Sequence, residues 1–281
     1  MRGRKLREGI GLAALNVFFV ALCFVTLIPI LYALSVSLNG QNALLSSDFS
    51  FIPEDFTLEN YLAVFTGEDI LTWFGNSVIL AVSTVAVSLA AAVPAAYCFS
   101  RRSFPGRRLV LRWLVLLNSF PAILSMFAVY RLLRPMGLVN HRLGLIIVYT
   151  GTMAVFSLWN MKGYFDTIPV EIEEASKIDG ANDAQMIWRI VLPLAKPAIV
   201  VTCVMVLITV WNEYLFATTF LLDSDYYSLA AGLYQLQSND YTRSWPLFTA
   251  ASILASIPLL LIFFKIQKYM VSGLTAGGVK G

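Results

Sequence analysis

Three short runs in this 281-residue chain carry residue types able to bind a ligand or grip a partner. The first is Glu173-Glu174-Ala175-Ser176-Lys177-Ile178-Asp179-Gly180, followed by Ile190-Val191-Leu192-Pro193. Carboxylates, small side chains and a turn-permitting glycine in that order suit a docking surface. The second is Trp211-Asn212-Glu213-Tyr214, whose amide, carboxylate and phenol could bond a hydroxyl-bearing ligand beside an indole platform. The same polar groups inside a membrane could equally bond from helix to helix. The third is the tail, with Gly273, Leu274, Thr275, Gly277, Gly278 and Lys280. Its glycines predict an extended backbone that approaches another protein closely, while composition alone reads it as a frayed end. None of the three is catalytic. There is no G-x4-G-K-[ST] loop, no nucleophile beside a base and no ligand cluster at metal spacing, so we expect no bound cofactor, no metal and no ATP hydrolysis by this chain.

The elements that hold these runs are set by composition. With 58% hydrophobic and 13% charged residues, the chain is too apolar for a soluble domain and reads as a multi-pass membrane protein. A crossing needs about 20 apolar residues, and six stretches qualify: Ile10 to Leu38, Ile70 to Ser100, Leu109 to Tyr130, Leu143 to Met161, Pro197 to Leu222 and Ser244 to Phe264. Runs this continuous predict helices, not barrel strands, so the fold class is all-α integral membrane. The first run is too long for a cleavable signal core and is read as an uncleaved anchor. Pro94, Pro121 and Pro258 lie within spans, where kinks are expected. Cys23, Cys98 and Cys203 are read as buried small hydrophobes, and His141 is the single histidine.

Orientation follows from the basic residues. With the N-terminus inside, only Arg131, Arg134, Arg142 and Arg243 of the 20 Lys and Arg fall in outer connections. Both termini are then cytoplasmic, as is the stretch from about Asp166 to Lys196 that holds the first run. The net charge of +3 is therefore a sign of topology and not of nucleic-acid binding. Within that stretch, Pro169 and the glutamates suit a helix start, Gly180 permits a turn, and a second helix with Ala184, Ile187 and Val191 on one face follows. The domain reading is an arm (1–11), a six-span domain (12–270) and a tail (271–281).

Glu174, Ala175, Gly180, Ile190, Leu192 and Pro193 stand at the spacing of the EAA signature, and the chain resembles the permease subunits of binding-protein-dependent ABC importers. Ser176 departs from the usual alanine but is nearly as small. The tail resembles that of the smaller permease subunit of maltose and maltodextrin importers, and the Trp211 to Tyr214 run is similar to sugar permeases of that group. The resemblance implies a coupling helix seated in a cleft of an ATP-binding subunit, with Glu173 or Glu174 paired to a basic residue there. It implies a tail inserted between two ATPase subunits, which use ATP and Mg, a second permease completing a heterodimer, and an extracytoplasmic sugar-binding protein. The implied location is the bacterial cytoplasmic membrane and the implied cargo is maltose, maltodextrin or a related oligosaccharide or glycoside, with most sugar contacts made by the other permease. Two other classes fit parts of the pattern. A secondary carrier would use Glu213, the one carboxylate within a span, and a membrane anchor for a cytosolic complex would need only the docking helix.

Overall fold

The long apolar runs are helical because only a ladder internal to the segment bonds every amide in lipid. The structure is a computed structural model and describes residues 2–41, 51–53, 55–67, 69–238 and 244–278. Its helices are α1 (Arg2–Ser37), α2 (Glu59–Thr66), α3 (Ile70–Arg101), α4 (Arg107–Asn118), α5 (Ala122–Leu133), α6 (Arg142–Phe165), α7 (Val170–Ile178), α8 (Asp183–Met186), α9 (Leu192–Leu194), α10 (Lys196–Asn212), α11 (Leu215–Phe220), α12 (Leu229–Ser238) and α13 (Trp245–Gly278). Among the described residues four segments are long and apolar enough to cross a membrane unbroken: Gly11–Ser37, Ile70–Arg101, Arg142–Phe165 and Trp245–Gln267. Two more qualify only as bent pairs, Arg107–Asn118 with Ala122–Met136 at 96° and Asp183–Leu194 with Lys196–Asn212 at 71°.

Two of the expected spans are interrupted, the third at the first of these bends and the fifth at a separate break beyond the second. The third, expected to run from Leu109 to Tyr130, breaks at Ser119-Phe120-Pro121, since Pro121 cannot donate to the ladder and restricts the residue before it. The fifth, expected from Pro197 to Leu222, is interrupted at Glu213-Tyr214 between α10 and α11.

Residues 1–68 and 236–254 form one compact unit, and residues 69–235 and 255–281 another. In the first, the end of α1 is tied to the start of α2. Ser37 Oγ and Tyr61 Oη lie 2.8 Å apart, and Asn60 Nδ2 donates to the Ser37 and Asn39 carbonyls at 3.0 Å each. In the second, α3 packs along α6, and α10 lies against both. A stripe of buried small residues on α3, Ser77, Ala81, Thr84, Ser88, Ala92 and Ala96, recurs every three or four positions and so lies on one face. Small side chains of this kind let helix backbones approach closely in a membrane, where lipid supplies no hydrophobic drive. Asn160 Nδ2 donates to Thr202 Oγ1 at 2.7 Å and links α6 to α10.

The cysteines depart from expectation. Cys23 and Cys98 are exposed and Cys203 is half-buried, so the first two face outward from this chain. Lipid is as apolar as a protein core, so a thiol on a span need not be buried within its own chain.

Gly232 on α12 lies against the Trp73 indole so tightly that an added Cβ would stand 2.0 Å from Trp73 Cε3. Trp73 is buried and cannot retreat. Gly232→Ala is expected to destabilise the protein by about 1–3 kcal/mol, the usual range for overpacking, read as a lower thermal midpoint in detergent; an unchanged midpoint would contradict the contact.

Candidate functional site

The segment from Pro169 to Leu194 is built with two faces. Pro169 stands just before α7 with φ −58°, and Glu171 and Glu173 occupy the first turn, where the helix dipole favours negative charge. α7 stops just before Gly180, whose φ of +87° is a left-handed conformation that favours glycine. Asn182 then opens α8 with a reciprocal capping box: its Oδ1 accepts from the Gln185 amide at 2.9 Å, and Gln185 Oε1 accepts from the Asn182 amide at 3.1 Å. Beyond Met186 the chain widens into a π turn over Ile187–Val191. Pro193 has no N–H for the carbonyl four residues back, which disfavours a regular α-helix there.

The inner face is bonded into the bundle. Glu173 is buried, and its carboxylate accepts from Arg101 Nε at 2.6 Å and from Tyr97 Oη at 2.8 Å. Arg101 also donates to the Ile168 carbonyl at 2.9 Å. Removing one partner of such a buried pair strands the other charge, at a cost of about 3–5 kcal/mol. Ser176 is buried too and bonds the Glu173 carbonyl at 2.7 Å. Met186 and Val191 join Ala96, Met161, Phe165, Ile168, Ala195 and Ala198 in one apolar cluster. Beside it, Asp166 accepts from Ser100 Oγ and Lys162 Nζ, each at 2.6 Å. Burial pushes the Asp166 carboxyl up, but these hydrogen bonds and the charges of Lys162 and Arg107 outweigh it and hold it below its ordinary value.

The outer face is different. Glu174, Ala175, Lys177, Asp179, Gly180 and Pro193 are exposed, while Ile190 and Leu192 are half-buried. Two large apolar side chains stand among them, Ile178 at 88% and Trp188 at 72% exposure. Asp183 pairs with Lys177 at 3.1 Å and Arg102 at 3.8 Å, but both pairs are solvent-exposed and add little stability.

Two expectations change here. Glu173 is buried and bonded inward by Arg101 and Tyr97, which leaves Glu174, exposed on the other face, as the glutamate a partner would meet. Ala184 is exposed and does not share the buried face with Val191, because the π turn shifts the angular register after Met186. Sequence reasoning overlooked Arg101, Tyr97, Ile178, Trp188 and the cap at Asn182. Of these, the N-x-x-Q spacing of the cap was a readable signal.

The Trp211 to Tyr214 run is split between two environments. Trp211 is buried and meets Phe74 edge-on, with centroids 5.4 Å apart. Glu213 sits where α10 stops and caps α11: its carboxylate accepts from the amides of Phe216 at 2.8 Å and Ala217 at 3.2 Å, and from Tyr149 Oη at 2.5 Å. Asn212 and Tyr214 are exposed; Asn212 Nδ2 donates to the Ile208 carbonyl at 2.8 Å, and Tyr214 stacks on Tyr234 at 5.4 Å.

The tail departs from the extended form expected of its glycines, since α13 continues through Gly273, Leu274, Thr275, Gly277 and Gly278. Once a long helix exists, each further residue adds a backbone bond without a new nucleus. Lys280 lies outside the described residues. Among the described residues no group of three or more His, Cys, Asp or Glu could hold a metal ion.

A family profile described as binding-protein-dependent transport system inner membrane component matches residues 88–275. The chain is 34% identical to the galactooligosaccharides transport system permease protein GanQ of Bacillus subtilis, over 99% of this chain and 98% of that one. It is 35% identical to the maltose/maltodextrin transport system permease protein MalG of Salmonella typhimurium, over 100% and 98%. Among solved structures, a bacterial ABC transporter involved in the import of the acidic polysaccharide alginate matches with a TM-score of 0.77 at 28% identity, over 96% of this chain and 98% of that one.

Proposed function

Because this chain belongs to the family of binding-protein-dependent transport system inner membrane components, we propose that it conducts a maltodextrin or galacto-oligosaccharide into the cell as one of two permease subunits. It is a multi-pass protein of the cytoplasmic membrane, and ATP is hydrolysed by a separate subunit. In our reading the bent pair 107–118 with 122–136 counts as one span and α10 with α11 as another, giving six, with both termini and the 166–196 segment cytoplasmic. Two ATP-binding subunits charged with ATP and Mg engage the exposed face of that segment, and residues 271–281 make a second contact with them. A sugar-binding protein delivers cargo from outside.

The observation that carries this reading is the two-faced segment. Glu174, Ala175, Ile178, Asp179 and Trp188 are free to dock, while Glu173, Met186 and Val191 fasten the same segment to α3, α6 and α10. A rigid-body shift of the partner would therefore move the spans and not merely bend a loop. Asn212 and Tyr214 are the members of their run left to meet sugar, since Trp211 and Glu213 are engaged within the fold. That engagement also counts against a secondary carrier, whose coupling ion would need the Glu213 carboxylate.

The test is co-reconstitution with the companion permease, the ATPase and the binding protein. Uptake of labelled maltodextrin or galacto-oligosaccharide is expected to require both ATP and the binding protein, and to fall when 274–281 are removed. Ion-driven uptake by the purified chain alone would overturn the assignment.

A further inference from the structure

Helix α3 is bonded at both ends to segments that lie outside it, and we propose that it acts as a strut carrying the state of the loop 222–229 to the docking segment. The inference rests on the function proposed above, whose six spans with cytoplasmic termini make that loop, between the fifth and sixth spans, external. At the first end, Trp73 Nε1 donates to the Ser224 carbonyl at 3.0 Å, and Asn76 Nδ2 donates to the carbonyls of Asp225 at 2.8 Å and Tyr227 at 2.9 Å. The Leu229 amide donates to Ser77 Oγ at 2.8 Å, and Ser224 Oγ donates to Asp69 Oδ2 at 2.7 Å. Most of these bonds grip loop backbone, so they hold the path of the chain and not just one side chain. At the other end, Tyr97 and Arg101 hold Glu173 of α7, and Arg101 also holds the Ile168 carbonyl.

Between the two ends α3 is one helix of 32 residues, about 48 Å long at the usual rise. Pro94 removes one bond of its ladder, yet Ala92 and Ala96 on either side are buried. The small-residue stripe keeps the helix against α6 along its length. A helix gripped at both ends and braced between them shifts as a unit, so displacement of the loop reaches Glu173 without an intermediate flexible joint. Asn76, Tyr97 and Arg101 are on this account positioning residues. Their side chains are engaged by other residues of the same chain.

The test is a double-mutant cycle on the full complex in proteoliposomes, because only coupling measurements establish a transmission route. The readout is the ratio of ATP hydrolysis with and without the sugar-loaded binding protein. Asn76→Ala at one end and Glu173→Gln at the other are each expected to lower that ratio about fivefold, within the usual span of coupling between sites. The double variant is expected to be no worse than the more severe single, because a strut released at one end transmits nothing further. A multiplied loss in the double, or an unchanged ratio in either single at normal assembly, overturns the strut. If either variant fails to assemble, Ser77→Ala and Tyr97→Phe each remove a hydrogen-bonding hydroxyl with little change of volume, and the same two outcomes decide. Cross-linking an Ile178→Cys chain to the ATPase reads docking separately. Absence of that adduct overturns the docking assignment, whereas its presence with multiplied losses overturns only the strut.

Discussion

Replacing Ile178 and Trp188 together by aspartate is expected to abolish ATP-driven uptake while leaving the chain inserted and folded. Both side chains are largely exposed and contribute little to the packing of their own chain. They flank the Gly180 turn on a segment whose opposite face is bonded inward, so their apolar surface is available to a partner. Apolar and aromatic anchors at the centre of an interface often contribute 2 kcal/mol or more each when truncated, so a combined loss of about 3–4 kcal/mol is a modest expectation. That corresponds to a roughly hundredfold or greater weakening of the ATPase contact. The measurements are uptake in proteoliposomes, co-purification of the ATPase subunit, and chain level in the membrane. Glu174→Lys should act in the same direction with a smaller effect, since a single exposed charge adds little affinity. Normal uptake and co-purification in the Ile178/Trp188 variant would remove the docking assignment.

Glu213→Leu is expected to lose most of the folded protein. The carboxylate is the acceptor for two backbone amides and one phenol where a helix is interrupted. At membrane depth no bulk water replaces a lost acceptor. Each buried donor left unbonded costs about 1–3 kcal/mol, so the sum over three is on the order of 3–9 kcal/mol. Glu213→Gln retains one carbonyl oxygen and should lose about half as much. Thermal unfolding in detergent, alongside the level of inserted chain, checks both variants. A stable Glu213→Leu protein whose uptake shows only a raised KM for sugar would instead make Glu213 a ligand of the cargo.

These two positions mark what could be read from sequence and what could not. Glu174, Ala175, Gly180 and the Ile190 to Pro193 run were legible because their types and spacing are local, and the turn needs a glycine whose φ is +87°. The division of labour between neighbouring glutamates was not legible. Glu173 and Glu174 are adjacent, but only the fold brings Arg101 and Tyr97, more than 70 positions upstream, to one of them. Likewise Glu213 read as a polar residue suited to a pathway until the break between α10 and α11 exposed two amides that required an acceptor.

By itself, the sequence determined the solvent of this protein, its helical class and the segment that stands apart from its spans. These follow from quantities summed along the chain, namely apolar length and glycine and proline placement. Only the tertiary structure decided where spans break, which side chains turn inward and which are left exposed. Those outcomes depend on pairing between residues distant in sequence, and a buried polar group is held in place by whichever partner the packing brings within reach.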